Sequence, residues 1–392
     1  MTNPHTIGTA TTLEEAQAYQ DILHQCFNVP VGSSPTSVAQ VGLENLQLVR
    51  SVDRVVGGLK LYPMGQWFGG QRVPMAGVAA VAIAPEHRGT GAAVALLRHT
   101  LQTLHQQGVA LSTLYAATQR LYRKVGYEQA GIYCHFSIPA IGLHPITHDL
   151  PMHRINPTDW QEFRSLYQQQ ASYNNGNLDR HPALWESVVR SSATEPVYSY
   201  LVGSTSNPQG YIIFTQSATP GGYDLRIRDW VALTPEATER LWTFLADHRS
   251  LVNNILWYGS TLNPWLVLLP EQTYQVQHQK RWFLRIVDVI SALTVRGYPK
   301  SLDTQLHLDI QDALIPANHD RFVLSVSQGQ GHVERGGTGT LQLDIRGLAP
   351  LYTALLTAYQ LQAIGYLSGS PDALATATLL FAGSEPWMPD HF

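Results

Sequence analysis

The sequence has 392 residues, more than one hydrophobic core usually serves, so two or three domains are expected. With 25 Lys and Arg against 29 Asp and Glu, the net charge of -4 excludes a general attraction for nucleic acid and gives a mild one for cations. The two cysteines, Cys26 and Cys134, exclude a disulfide framework and form no CxxC pair, which favours a reducing compartment, with the cytoplasm as the expectation.

Residues 1–20 have no basic start and no apolar core, and no stretch reaches the roughly 18 apolar residues of a membrane span, so the sequence reads as soluble and unprocessed. Periodicity predicts a helix over Leu13 to Phe27, then strands over Leu46 to Arg50, Arg54 to Trp67 and Val78 to Ala84. Val94, Leu97, Leu101 and Leu104 fall on one helical face, Gly108 stands where a glycine commonly ends a helix, and Leu111 to Ala116 reads as a fifth strand. Pro139, Pro145, Pro151 and Pro157 block regular structure and predict a linker. His144, His148 and His153 lie in it, but no thiolate accompanies them and the prolines deny a scaffold, so no metal is expected. Strand, helix and strand recur at Leu225 to Leu233, Pro235 to His248 and Ile255 to Tyr258, after a helix at Trp160 to Gln170. Beyond Arg285 the pattern predicts strands at Arg321 to Gln328 and Thr340 to Ile345. Helices are predicted at Ala349 to Leu361 and Pro371 to Phe381, the last opened by Ser370 as cap.

One junction carries chemistry. Val81-Ala82-Ile83-Ala84-Pro85-Glu86-His87-Arg88-Gly89-Thr90-Gly91-Ala92-Ala93 places a glycine turn between an apolar strand and an amphipathic helix. Glycines admit close approach of a pyrophosphate, the helix start supplies unpaired N–H groups, and Arg88 supplies a charged fork. An ordinary tight turn is the plain alternative. A dinucleotide fingerprint fails because Val94 occupies the third glycine position. In the second unit the matching junction reads Thr234-Pro235-Glu236-Ala237-Thr238-Glu239, whose acids would repel a phosphate, so no cofactor is expected there. Arg335-Gly336-Gly337-Thr338-Gly339 precedes alternating Leu341, Leu343 and Ile345, which predicts a hairpin turn rather than a phosphate loop.

Arg88-Gly89-Thr90-Gly91-Ala92-Ala93, followed by Tyr122-Arg123-Lys124-Val125-Gly126-Tyr127, resembles the cofactor and Tyr-x-x-x-Gly-Tyr motifs of GNAT N-acetyltransferases. Trp282-Phe283-Leu284-Arg285-Ile286-Val287-Asp288-Val289, with Ala292-Leu293 and Arg296-Gly297-Tyr298, resembles the Eis branch of that superfamily. The resemblance implies an α+β chain of tandem GNAT folds, with mixed central sheets flanked by helices, and a C-terminal domain like sterol carrier proteins. The expected boundaries are a catalytic domain over 1–143, a degenerate second GNAT domain over 144–284, and the carrier-like domain over 285–392. It implies acetyl-CoA as co-substrate, held by Val81, Ala82, Ile83, Arg88, Gly89, Thr90, Gly91, Ala92 and Ala93, and a homo-hexamer.

Amide formation needs a neutral amine, and an alkyl ammonium with pKa near 10.4 is neutral about once in 2,500 molecules at pH 7, a deficit of roughly 4.6 kcal/mol. Val73 to Ala84 contains no titratable side chain, so a base must come from elsewhere. The resemblance implies the terminal carboxylate, here that of Phe392; the plain alternative is that these residues pack or fray. A free α-carboxyl titrates near 3.5, which makes it a poor acceptor unless burial raises it or water relays the proton. Tyr122 matches the GNAT acid that donates to the departing thiolate, against the alternative of a half-buried aromatic. Asp390 and His391 are candidates for holding substrate, with a solvated tail charge as the alternative for Asp390. The acceptor expected is a small polyamine-like or aminoglycoside-like cation. A peptide or lysine acetyltransferase, or a non-enzymatic acyl-CoA or lipid carrier, stands as the alternative. Neither nucleic acid nor membrane is expected as a partner.

Overall fold

A computed structural model describes residues 5–28 and 41–392. Two units emerge: one holds 1–131, 281–384 and 391–392, the other 132–280 and 385–390.

In the first unit, β1 (His5–Thr9), β2 (Leu46–Ser51), β3 (Arg54–Phe68), β4 (Gln71–Ile83) and β5 (Leu111–Tyr115) lie side by side in that order. Gly69 and Gly70, both at positive φ, make the two-residue turn that pairs Phe68 with Gln71 and sets the long β3–β4 hairpin. β4 and β5 are parallel, joined over the sheet by α2 (Ala92–Gln106), and Trp282–Ile286 pair antiparallel with the far side of β5. Leu96, Leu97, Leu101 and Leu104 of α2 pack on Leu59, Leu61, Ala76, Val78 and Ile83. On the other face α1 (Leu13–Phe27), capped by Thr12 and ended by Asn28 in a left-handed conformation, packs Tyr19 and Leu23 on Leu46, Leu48 and Ala82. Gly108, at φ +72, follows the end of α2 as expected.

The same unit contains a five-stranded sheet, in the order β16 (Gln330–Arg335), β15 (Asp320–Ser327), β14 (Thr304–Gln311), β17 (Leu341–Asp344) and β18 (Leu367–Gly369). The glycine-rich segment after Arg335 is therefore no hairpin turn. β17 pairs parallel with β14, so the segment crosses both β15 and β14. A Cβ at Gly337 would come 2.5 Å from His307 Nδ1, which receives the Thr338 N–H at 3.1 Å. The single helix expected at Ala349 to Leu361 is two, Ile345–Tyr352 and Ala358–Ala363, separated where Ala354 takes φ +68 and Thr357 with Gln360 forms a capping box. The helix Pro371–Leu380 is capped by Ser370.

In the second unit β7 (Met152–Ile155), β9 (Val197–Ser204), β10 (Asn207–Thr219), β11 (Gly222–Ala232), β12 (Val252–Gly259) and residues 134–139 of β6 (Glu128–Pro139) are neighbours in that order. β7 lies within the expected linker, and β6 carries Pro139 as its last residue. The helix Pro235–Asp247 packs Leu241, Trp242 and Leu245 on the sheet residues Ile212, Phe214, Ile255 and Trp257.

Candidate active site

β4 passes into a short 3-10 turn, Pro85–His87, and then into α2 through Arg88, Gly89, Thr90 and Gly91. Gly89 stands at φ +78 and Gly91 at φ +88, and a Cβ on either would meet nothing within 4 Å, so conformation rather than space requires glycine. Gly91 gives α2 no side-chain cap, and no acid lies in its first turn. A 15-residue helix thus presents its first N–H groups uncompensated, which is what an anionic pyrophosphate needs. Arg88 is exposed, with Nε donating to the Ile83 carbonyl at 3.2 Å and Nη2 lying 3.2 Å from Cys26 Sγ. Thr90 donates to the His87 carbonyl at 2.8 Å, and its hydroxyl lies 3.3 Å from His5 Nε2. Val81 and Ala93 are half-buried, and Ala82, Ile83 and Ala92 are buried. By contrast, the helix at Pro235 has the Ala237 N–H capped by the Thr234 hydroxyl and Glu236 in its first turn.

Two features distort β4 before the loop. Its pairing with β5 runs through Met75–Leu111, Ala76–Ser112 and Gly77–Thr113 and stops there, while β4 continues to Ile83. Gly58 pairs with Ala82 and Lys60 with Ala79, so Ala80 and Val81 stand opposite the single Leu59 of β3, a bulge in which Ala80 takes φ +53. The rung before the last is pinned by Ser112, which donates to the Ala76 carbonyl at 3.0 Å and shares a 2.7 Å hydrogen bond with Tyr127.

Phe392 lies at this point of parting. A Cβ on Gly77 would come 2.7 Å from its Cε2, and its ring meets Tyr62 edge-on at 6.0 Å and Tyr115 at 6.2 Å. His391 is exposed and stacks on Tyr115 at 4.4 Å. Tyr122, on the short helix Gln119–Arg123, is 5% exposed and meets Tyr127 edge-on at 6.0 Å; burial pushes its hydroxyl up to about 12. Gly126 in the same motif is at φ +90, where a Cβ would strike Arg285 Nε at 2.8 Å. Arg285 is itself buried and pairs with Asp312 at 2.6 Å, which ties the motif to the far sequence Trp282 to Val289.

Asp390 is placed differently from its neighbours in sequence. It is buried in the second unit, where Arg180 Nε donates to it at 2.8 Å and Arg180 Nη1 to Asp229 at 2.5 Å. Burial raises its carboxyl above the ordinary range, against the pull of Arg180. It is not a solvated tail charge. Sequence reasoning did not find Tyr62, Tyr115, Gly77, Tyr19 or Lys60. Period-two alternation along Leu59 to Tyr62 was the available signal for Lys60 and Tyr62, which stand opposite the apolar Leu59 and Leu61. Lys60 is 2% exposed, and burial draws it down to about 8. Among the described residues no group of three or more His, Cys, Asp or Glu is arranged to hold a metal ion, and His148 pairs with Asp247 at 3.0 Å.

Models of acetyltransferase (GNAT) domains match residues 9–130 and 176–286, and a sterol carrier protein domain model matches 289–389. This order defines a tandem GNAT protein with a C-terminal sterol carrier protein domain. The crystal structure of a GCN5-related N-acetyltransferase from Anabaena variabilis is 49% identical, superposes with a TM-score of 0.96, and covers 99% of this chain and 100% of its own. An uncharacterized N-acetyltransferase of Streptomyces avermitilis is 27% identical over 349 residues, 83% of each chain. N-acetyltransferase Eis of Mycobacterium tuberculosis is 24% identical over 318 residues, 75% of this chain and 74% of its own. The chain belongs to the GCN5-related N-acetyltransferase family and has the Eis-like build. It is an N-acetyltransferase, and GNAT domains in general use acetyl-CoA as co-substrate.

Proposed function

We propose that the chain transfers the acetyl group of acetyl-CoA to a primary amine of a small polyamine-like or aminoglycoside-like cation. The observation that carries this reading is the position of Phe392 against Gly77, where β4 and β5 part. The open edge of β4 at Val81, Ala82 and Ile83 takes the thioester and its arm, and Arg88, Gly89, Thr90, Gly91, Ala92 and Ala93 take the pyrophosphate. The amine nitrogen attacks the thioester carbonyl carbon, the nitrogen loses a proton to the Phe392 α-carboxylate through a bridging water, and the C–S bond breaks. Tyr122 donates a hydrogen bond to the departing sulfur, which leaves as coenzyme A thiolate. His391, exposed beside Tyr115, faces substrate in this reading. Asp390 acts on it only indirectly, because its carboxylate is engaged by Arg180. A cytoplasmic homo-oligomer, hexameric as the Eis resemblance implies, completes the proposal.

Thiol release with a panel of polyamines, aminoglycosides and lysine peptides tests the substrate class. Preference for lysine peptides would replace the small-amine reading, and silence with every amine would favour the carrier alternative. Adding one glycine after Phe392 keeps the ring but converts its carboxylate to a neutral amide and moves the new charge about 3.5 Å along the chain. General-base geometry needs the acceptor within about 3 Å or one water, so the extended protein should fold, bind acetyl-CoA and lose most activity, with partial recovery at high pH. Full activity at pH 7 would remove Phe392 as base and shift attention to His391, since the Asp390 carboxylate is engaged by Arg180.

A further inference from the structure

Among the described residues, the bulge at Ala80 and Val81 is held from outside the sheet by one side chain. Tyr19 of α1 is fully buried, and its hydroxyl donates to the Ala80 carbonyl at 2.5 Å. Its ring lies over β3, so close that a Cβ on Gly58 would come 3.1 Å from Tyr19 Cδ2. Ala80 has a side chain yet takes φ +53, a conformation that disfavours any residue other than glycine and persists only where the surroundings enforce it. The Tyr19 hydroxyl is such an enforcement. Burial first, and then the neighbouring Tyr62, Cys26 and Tyr122, keep it protonated well above the ordinary tyrosine range, so it remains a donor at any working pH.

The consequence follows from peptide geometry. The chain contains no cis peptide bond among the described residues, so the Ala80 carbonyl and the Val81 N–H share one plane and point in opposite directions. Beyond Gly77 the β5 side of β4 has no ladder partner. We infer that Tyr19 is a positioning residue: by gripping the Ala80 carbonyl it fixes the peptide plane that aims the Val81 N–H at the thioester carbonyl oxygen as charge develops there. This rests on the placement of the thioester along β4 proposed above. Tyr19 touches no reacting atom; it acts through one backbone amide. Preorganised donors of this kind act because they need no reorientation during the reaction, and losing one costs about 10²- to 10³-fold in kcat. A donor left in place but no longer held should cost less, about 10- to 100-fold.

The test is Tyr19→Phe, which keeps the ring on Gly58 and deletes only the hydroxyl. Acetyl-CoA labelled with ¹³C at the acetyl carbonyl is bound without acceptor amine, and its carbonyl stretch is read by isotope-edited infrared spectroscopy beside kcat, KM and melting temperature. Wild-type protein should lower the stretch relative to free acetyl-CoA. Tyr19→Phe should return it most of the way and reduce kcat by about 10- to 100-fold, with KM for acetyl-CoA within twofold. A wild-type stretch in the variant overturns the inference whatever happens to kcat, because a merely structural role would slow the enzyme without touching carbonyl polarisation. An unshifted stretch in wild-type protein that binds acetyl-CoA would instead sink the placement of the thioester, a separate failure. Should Tyr19→Phe not fold, replacing Val81 by its α-hydroxy analogue turns the Ala80–Val81 amide into an ester, which removes the Val81 N–H and also weakens the Ala80 carbonyl as the acceptor of Tyr19. Loss of the shift and of kcat then supports the assignment, and unchanged kcat overturns it.

Discussion

Tyr122→Phe removes one hydroxyl from the short helix after β5 and leaves the ring against Tyr127. The Tyr122 hydroxyl is pushed up to about 12 by burial, whereas a simple thiol titrates near 8.5. Full proton transfer from Tyr122 to the thiolate is thus uphill by about 3.5 units, or about 5 kcal/mol. Such a tyrosine serves better as a hydrogen-bond donor to the departing sulfur than as a proton donor. Hydrogen bonds to charged groups contribute about 1.5–3 kcal/mol, which as a rate is about 10- to 150-fold. The variant should therefore keep its fold and its KM for acetyl-CoA and lose that factor in kcat, measured by thiol release at saturating amine. Wild-type activity should also show no falling limb below pH 11 that Tyr122→Phe removes, since the hydroxyl stays protonated. A loss under threefold, or a Tyr122-dependent limb near pH 10, would refute the reasoning.

Arg88→Glu replaces the proposed phosphate donor by a like charge and also releases the tether to the Ile83 carbonyl, so calorimetry should show coenzyme A bound at least about a hundredfold more weakly, with one site per chain in wild type. Two sites per chain would contradict the reading of the capped, acidic Thr234 helix start. Gly77→Ala would set a Cβ 2.5 Å from Met64 Cε and 2.7 Å from Phe392 Cε2. Both are movable ends of side chains, so melting temperature should shift by only a few degrees while kcat falls about tenfold or more, a split that a purely structural Phe392 would not produce. Lys60, drawn down from 10.5 to about 8, binds fewer protons folded than unfolded between those values. Stability relative to Lys60→Met should therefore rise with pH from about 8 to about 10.5, by no more than about 3.4 kcal/mol, and a flat difference in urea melts would show that Lys60 is not perturbed.

The elements nearest the site were readable because their physics is local. The α1 span, the turn glycines at 89 and 91 and the end of α2 before Gly108 follow from side-chain period and from φ values that only glycine adopts freely. The bulge was not readable, because Ala80 holds positive φ without the glycine that would mark it, and its cause, Tyr19, lies 61 residues away. The broken helix had a local signal that was passed over: Thr357 and Gln360 spell a capping box in the middle of the predicted span. Asp390 could not be placed from sequence, since its partner Arg180 is 210 residues distant and nothing in the periodicity links them. Alternation at Leu341 and Leu343 correctly marked a strand but carried no information on its partner, so a crossover was read as a hairpin.

The composition of β4 connects these observations. Ala76, Val78 and Ile83 face α2, and the bulge resets the alternation so that Ala82 faces α1 beside Tyr19. Between them stand Gly77, Ala79 and Ala80, small enough for the Phe392 ring to approach one and the Tyr19 hydroxyl to reach the carbonyl of another. A side-chain carboxylate at position 77 would occupy the space that the ring takes. Smallness on β4 therefore both admits the Phe392 ring and denies the strand a base of its own. In the proposed reaction that leaves the proton acceptor to a group that needs no side chain on the strand, and a main-chain carboxylate carried by the residue whose ring fills the space meets that requirement. On this argument the lack of an acid at position 77 and the contact of Phe392 with Gly77 have a single cause.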